Sequence, residues 1–520
     1  MTTNKTLRVV IVGGGSAGWM TAAALANSLP LQDHSITLVE SSNIGTVSVG
    51  EATIPSILEF NHMLGINEAE FLKYTHGSFK LGIEFHDWYE KSHKYMHPFG
   101  PYGVNMNGVP FHHYWLKDKL RGQQHAIENY CLEYTAALQN KFCHPQPQSR
   151  SALAKLKYAY HFDAIKYAEF LCQYSIERGV RRVLGEVRQV HQCPQSANIT
   201  ALGLQDDSSV EGDLFIDCSG FKGLLIAQTL GVDFEDWREY LPCDSAIAQP
   251  SESLDDIKPY TISSAHECGW QWQIPLQHRI GNGFVFSSEF LSKQKAVSQL
   301  AKRLPSNALS EARELKWING KRCQAWKNNC VAIGLSAGFI EPLESTGLQL
   351  IQSAIMRLLS LFPTKNSATS PSQDSSGKTL SKLHCNQADI DTYNRYTDDE
   401  LWRIRDFIIL HYKATKRDDS EFWRYCQSMS IPDTLQAKID LYLSSGRLFR
   451  ENNELFNELS WFSVMNGQGL VPSSFHPLVN KLDEGQRQEN LKRIAGAMRE
   501  AEQQMPSHKS YLAHYCGTSQ

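Results

Sequence analysis

The sequence predicts an α/β fold: a parallel sheet of dinucleotide-binding type, interrupted by large insertions and followed by a helical C-terminal region. Three observations carry that expectation. A β-branched run, Arg8-Val9-Val10-Ile11-Val12, passes straight into Gly13-Gly14-Gly15-Ser16-Ala17-Gly18 and then into helical periodicity through Met20, Ala23, Ala24 and Leu29, as a strand buried on both faces feeds a helix. Strand-to-glycine junctions recur far downstream, in the stretch from Gly212 to Gly220 and in Cys330-Val331-Ala332-Ile333-Gly334-Leu335, the second expected to break at its glycine before a helix. From Ala388 onward, Leu401, Ile404, Ile408 and Tyr412, and later Leu491, Ile494 and Met498, fall at helical spacing.

The first junction carries chemistry. Gly13, Gly15 and Gly18 occupy the three places of G-x-G-x-x-G. The first permits the tight turn, the second lets backbone approach a pyrophosphate, and the third lets helix and strand pack closely. Ser35-Ile36-Thr37-Leu38-Val39 is a second strand with Glu40 at its carboxyl end, where a carboxylate accepts hydrogen bonds from a ribose diol. Strand ends spread over more than three hundred residues suit an insertion-rich FAD protein better than a compact NAD unit. Asp163 is placed to cap a helix carrying Ala164, Ile165, Ala168, Leu171, Cys172 and Ile176, which ends before Gly179, and the strand after it contains Val183, Val187 and Val190.

Composition narrows the class. With 520 residues the chain holds three to four domain-sized units, or one large enzyme domain with an appendage. Residues 1–365 are expected to form the cofactor-binding core with an inserted sheet. Residues 366–380, within which Ser367 to Lys378 is low in complexity, read as a mobile loop, and 381–520 as a helical substrate-side region. The 51 basic against 55 acidic residues leave a net charge of −4, which argues against a dedicated nucleic-acid binder. No apolar run of about twenty residues and no signal-peptide core appear, so no membrane span is expected and the cytoplasm is the expected location. The 12 cysteines stand singly from Cys131 to Cys516 without a Cys-x-x-Cys pair. They read as reduced thiols, and no metal is expected.

Three further stretches contain candidate reacting groups. Lys80 lies in Ser78-Phe79-Lys80-Leu81-Gly82-Ile83-Glu84-Phe85. Among these apolar neighbours it is either an exposed lysine on a strand edge or a desolvated amine beside a cavity, available for hydrogen bonding or reaction. Glu344, in Gly338-Phe339-Ile340-Glu341-Pro342-Leu343-Glu344-Ser345-Thr346-Gly347, stands at a turn that presents successive backbone N–H groups at a helix start. Such a nest suits an anion, and capping that helix is Glu344's alternative role. Trp270 and Trp272, in Gly269-Trp270-Gln271-Trp272-Gln273-Ile274-Pro275, alternate along a strand and share a face, as chamber wall or as an ordinary core pair.

These three strings, with Gly13 to Gly18 and Gly50-Glu51-Ala52-Thr53, resemble the flavin-dependent tryptophan halogenase family. The resemblance runs from the first strand to about Leu350 and continues more loosely beyond, through Arg405-Asp406-Phe407-Ile408-Ile409-Leu410-His411-Tyr412. It implies an FAD-binding Rossmann-like fold related to GR2-type flavoprotein monooxygenases. FAD contacts would come from Gly13, Gly15, Ser16, Ala17, Gly18, Glu40, Glu51, Ala52, Val187 on the adenine side, Leu335 and Leu348. The backbone of Thr346 and Gly347 would bind halide. Lys80 would hold hypohalous acid or carry the halogen as a haloamine, and Glu344 would polarise that species or accept the arene proton. Trp270, Trp272, Ile274 and Pro275 mark the family and wall the flavin from the substrate. The same resemblance implies O2 and halide as co-substrates, reduced FAD from a separate flavin reductase, a small aromatic substrate and a homodimer. Trp461, Phe462 and Asn466 keep part of the pattern that clamps free tryptophan, whereas Arg450 to Asn457 lacks the expected tyrosine pair and an obvious matching acid. A bare indole, a phenol or a carrier-bound aromatic is therefore the expected substrate. An aromatic monooxygenase and a non-catalytic flavin-binding protein are the alternatives.

Overall fold

In the computed structural model, which describes residues 6–30, 32–41, 51–123, 125–363, 385–452 and 454–517 with the backbone of 372–373 and 379–380, the β-branched run forms the strand Leu7–Val12. It lies inside a six-stranded sheet in the order Trp326–Lys327, Cys330–Ala332, Leu214–Asp217, Leu7–Val12, His34–Glu40, Arg181–Leu184, parallel except for the hairpin at its first edge. All three glycine junctions therefore meet in one sheet. Val12 aligns with both Val39 and Asp217, and Asp217 with Ala332, so the strands end together along one crevice.

The helix Ser16–Ser28 packs against Ala164–Glu177 and Gly347–Ser360. Covered by both, it buries every residue from Gly18 to Ala26, so the stripe expected through Met20, Ala23 and Ala24 widens to the whole surface. Asp163 caps the second helix by accepting from the amides of Ile165 and Lys166.

Two expectations are corrected by pairing. The strand expected through Val183, Val187 and Val190 is two strands: Arg181–Leu184 edges the parallel sheet, while Val187–Gln192 begins an antiparallel meander with Ile199–Leu204 and Ser209–Glu211. Each half is held by a different partner, and the chain changes sheets at Gly185-Glu186. The strand Cys330–Ala332 does not run into a helix either. Gly334, at φ 77°, turns the chain into a single 3-10 turn, Gly334–Ser336, and a Cβ there would lie 2.8 Å from that of Ala17, which explains the glycine. A short strand, Gly338–Phe339, and the turn Pro342–Glu344 intervene before the helix at Gly347.

A second, mostly antiparallel sheet takes the order Arg313–Lys316, Ser245–Ala248, Arg279–Phe286, Gly269–Pro275, Thr261–His266, Gly82–His86, Lys94–Pro98. A third pairs Ala159–Phe162 with Glu51–Ala52 on one side and Ser78–Lys80 on the other. The chain crosses from third to second sheet at Leu81, and the close approach of the His97 carbonyl, 2.6 Å from where a Cβ on Gly82 would stand, explains the glycine at this seam. Lys80 ends one sheet where another begins.

The C-terminal third is helical, led by Gln387–Lys413, which buries Leu401, Ile404, Ile408 and Tyr412. Glu484–Gln503 buries Leu491 but leaves Ile494 and Met498 half-buried, as on a surface helix. The segment 366–380 lies outside the described residues apart from the pairing of 372–373 with 379–380. No described helix is long and apolar enough to cross a membrane.

Candidate active site

The glycine turn has the shape of a dinucleotide cradle. Gly13 takes φ 118°, and a Cβ there would fall 2.2 Å from the Cys218 carbonyl. One on Gly18 would strike the Gly13 carbonyl, while Gly15 has nothing within 4 Å of that position. The second glycine thus faces open space, where a pyrophosphate would need close backbone approach. No side chain caps the helix Ser16–Ser28, so the first amides at Ser16 and Ala17 face the same space. Glu40 packs against Gly14 and pairs with Arg182 at the next strand. Leu335 follows Gly334, where a Cβ would meet Ala17, and Val187 follows the Arg181–Leu184 strand that flanks Glu40. Leu348 is buried in the first turn of Gly347–Ser360. Glu51 and Ala52 share the three-stranded sheet of Lys80; burial first, and Asp163 second, push the Glu51 carboxyl up to about 7. Gly50 lies outside the described residues.

Lys80 is fully buried, which removes the strand-edge reading. Its Nζ donates to Ser345 Oγ at 2.9 Å and lies 5.3 Å from the centre of the Phe99 ring. Burial pulls the ammonium down and the negative charge of Glu344 pulls it back up, leaving a pKa of about 7. The amine is therefore available at neutral pH.

Glu344 has a different environment. His97 Nδ1 lies 2.8 Å from one carboxylate oxygen and His411 Nε2 2.9 Å from the other, all three side chains being buried. Burial pushes the carboxyl up, but the charge of His97 and the hydrogen bond from His411 outweigh it and hold the pKa at about 2. The second nitrogen of His411 faces the Phe407 carbonyl at 2.9 Å. Both nitrogens of His411 thus lie within hydrogen-bond distance of an oxygen. Glu344 is occupied by histidines and does not cap the helix that follows.

Beside it, Ser345 adopts left-handed φ 60°, a conformation that costs a non-glycine residue on the order of 1 kcal/mol. It turns the chain so that Thr346 precedes the helix Gly347–Ser360 without a side-chain cap. Thr346 Oγ1 is buried without a partner, and nothing stands within 4 Å of a Cβ built on Gly347. Unpaired donors facing space at a helix start suit a small anion.

Trp270 and Trp272 are buried on one face of their strand with ring centres 6.1 Å apart; Ile274, on the same face, is buried and Pro275 half-buried. Trp270 Nε1 donates to Glu341 Oε1 at 3.0 Å, and Tyr412 donates to the same oxygen. Glu341 Oε2 has no partner, and burial pushes this carboxyl up to about 7 against those two hydrogen bonds.

On the C-terminal side, Trp461 meets Phe407 edge-on, Phe407 stacks on Phe456, and both Phe407 and Phe456 approach His97. Consecutive helical residues diverge, so Phe462 turns instead toward Tyr102, His112 and Trp115, and Asn466 accepts from Lys119. Glu454 is buried, with both oxygens 2.9 Å from Lys438 Nζ and a third hydrogen bond from Trp461 Nε1. The sequence reading missed Ser345, His97, His411, Glu341 and the Glu454–Lys438 pair. His411 carried a signal, a histidine within the apolar run Phe407-Ile408-Ile409-Leu410, and His97 sits one alternation after Tyr95.

A glycine-cradled crevice, a buried amine and an ionised carboxylate together suit a flavin-linked oxidoreductase. The chain matches the tryptophan halogenase family model over residues 8–484 and belongs to that family. It is 43% identical to Xcc4156, a flavin-dependent halogenase from Xanthomonas campestris, over 98% of each chain with a TM-score of 0.92. To BrvH, a flavin-dependent halogenase from Brevundimonas sp. BAL3, it is 42% identical over 98% of this chain and 99% of that one, at a TM-score of 0.91. Tryptophan 6-halogenase SttH of Streptomyces toxytricini is 33% identical over 99% of each chain. The enzyme is a flavin-dependent halogenase, of the class that uses reduced FAD, O2 and halide to halogenate aromatic substrates.

Proposed function

We propose that this halogenase acts on an uncharged aromatic such as a bare indole, through an amine at Lys80. The observation that carries the substrate reading is Glu454. A free amino acid needs a carboxylate for its ammonium, and the buried acid of the Arg450 to Asn457 stretch is already neutralised by Lys438. The aromatic rings of Phe407, Phe456 and Trp461 offer stacking surface without a free charge.

Bound reduced FAD, with O2, supplies the two-electron oxidation that makes halide electrophilic. The glycine turn, Glu40, Glu51 and Ala52, Val187, Leu335 and Leu348 would hold that cofactor, and Thr346 and Gly347 would hold halide. Lys80, half unprotonated near pH 7, takes up electrophilic halogen from hypohalous acid by hydrogen bond or as a haloamine, and passes it to the arene. Glu344, kept ionised by His97 and His411, accepts the proton that the arene loses. The buried walls, Trp270 and Trp272 among them, exclude water and keep the oxidant from side reactions. We also read the enzyme as cytoplasmic and supplied by a separate flavin reductase.

The test is product analysis by mass spectrometry with FAD, a flavin reductase, NADH, O2 and bromide or chloride. Indole, phenols and free tryptophan are offered side by side. Halogenated indole formed well ahead of halogenated tryptophan is expected; preference for free tryptophan would overturn the substrate reading. Hydroxylated product without halide dependence would favour the monooxygenase.

A further inference from the structure

The segment beyond residue 484 lies outside the family match, yet it reaches the strand that carries Lys80. Residues 506–508 run beside 140–142, with Phe142 N donating to the Pro506 carbonyl at 3.2 Å and His508 N to that of Asn140 at 2.7 Å. They lead into the helix His508–Tyr515.

His508 is fully buried. Its Nδ1 donates to the Ile257 carbonyl at 2.7 Å, and its Nε2 accepts the backbone N–H of Phe79 at 3.1 Å. Phe79 lies in an edge strand paired on one side only, with Ala159–Phe162. A buried amide on the other side needs an acceptor, and the C-terminal helix provides it.

The same helix closes over the Phe79 ring. That ring stacks on Phe142 at 3.9 Å and meets Tyr511 and Tyr515 edge-on. Tyr515 is tied in turn to Glu68 at 2.7 Å, a carboxylate that also holds Tyr158 and His144. Phe79 is thus fixed through backbone and side chain by residues more than 420 positions away, and Lys80 is the next residue. Burial keeps His508 neutral by pulling its pKa down to about 4, which preserves the lone pair that Phe79 requires.

We propose that the helix His508–Tyr515 is a positioning clamp for Lys80: His508 fixes the Phe79 amide, and with it the aim of the Lys80 amine at Ser345, so that oxidised halogen reaches the arene instead of escaping. This rests on the reading of Lys80 as the halogen carrier. A misaimed amine would leave oxidation of halide intact and spoil only its transfer, and a displacement of about 1 Å can cost on the order of 100-fold in a transfer step.

The test compares His508→Leu, which lacks the acceptor, with His508→Gln, which places an amide oxygen near the Nε2 position, using bromide and indole as probes. Halogenated product per O2 consumed is measured together with capture of free hypohalous acid by a β-diketone trap. FAD affinity and deuterium uptake at the Phe79 amide provide readouts independent of turnover. The leucine variant should bind FAD and consume O2 as the parent does. Its product per O2 should fall about tenfold while trapped halogen rises, and its Phe79 amide should exchange faster; the glutamine variant should restore all three.

Equal product per O2 in the leucine variant and the parent overturns the clamp. Should the leucine variant fail to bind FAD, His508→Asn replaces it, since asparagine supplies its acceptor near the Nδ1 position only; equal coupling of the asparagine and glutamine variants then overturns the proposal. Lys80→Ala is run alongside. If it still halogenates, the carrier reading falls and the clamp with it; if it does not while His508→Leu stays coupled, the clamp alone falls.

Discussion

The two buried groups of the candidate site are equally dry and electrically unlike. Lys80 and Glu344 are both buried, and desolvation alone would drive each to its neutral form. Lys80 meets one hydroxyl, and burial wins: its pKa falls to about 7. Glu344 meets two histidines, and the partners win: its pKa falls to about 2. Burial prevails only where the counter-charge within reach is too weak to offset it. A neutral amine can take up an electrophile and an ionised carboxylate can accept a proton, so the unequal partnering supports the two roles proposed for them.

The sharpest test of that contrast is Lys80→Met, which keeps an unbranched side chain and removes the amine. Halogenation should drop by about 1,000-fold or more, with FAD binding retained. Stability should move the other way. A lysine whose folded pKa is lowered from 10.5 to about 7 binds fewer protons in the native than in the unfolded state between those values, so native stability rises with pH across that window. Methionine removes the penalty, and the variant should melt higher below pH 7, by a margin that closes toward pH 10.5. A variant that melts lower at pH 6, with a flat margin, would show that Lys80 is not a desolvated amine.

Glu344→Gln probes the other group. Glutamine keeps the shape but does not take the arene proton, so turnover should fall about 100-fold while halide oxidation, read by a hypohalous acid trap, continues. Loss of halide oxidation as well would assign Glu344 to the earlier step.

The nucleotide cradle and the pair Lys80 and Glu344 differ also in how far they could be read before folding. The glycine turn and Glu40 were legible because a strand, a turn and a helix must follow one another in sequence, and the sheet pairs them as expected through Val12 and Val39. Lys80 and Glu344 were singled out within their strings, but the partners that set their charge were not, because Ser345, His97 and His411 come from three separate elements. His411 stands out in its string, yet only the packing of Gln387–Lys413 brings it to Glu344. The split at Gly185 was hidden for a related reason: valines on either side pair with strands that the local pattern does not name. Phe462 and Asn466 adjoin Trp461 in sequence and diverge from it on the helix.

His411→Leu addresses the partnering itself. With one histidine gone, burial should reclaim part of the carboxyl, and its pKa should rise from about 2. A carboxylate whose folded pKa lies below its unfolded value stabilises the protein above the unfolded pKa and loses that contribution as pH falls through the folded one. The variant should therefore lose stability at neutral pH, by roughly 3 kcal/mol, and the acid limb of its stability–pH curve should move upward. An unmoved limb would mean that His97 alone keeps Glu344 ionised.

The smallest effect is expected at the Trp270–Trp272 pair, proposed as the wall between flavin and arene, where two neighbouring indoles again differ by partner. Trp270 Nε1 donates to Glu341, whereas Trp272 Nε1 is buried without one and its ring lies against Gly283. Trp270→Phe strips a donor from a buried acid and should cost about 1–3 kcal/mol of stability. Trp272→Phe removes an unsatisfied N–H along with part of a ring, two changes of opposite sign. It should leave product per O2 within about twofold of the parent, and the product halogenated, not hydroxylated. Chromatography and mass spectrometry of the indole products decide it: hydroxyindole from the Trp272 variant would show that the width of this wall, not the amine behind it, sets which atom reaches the arene.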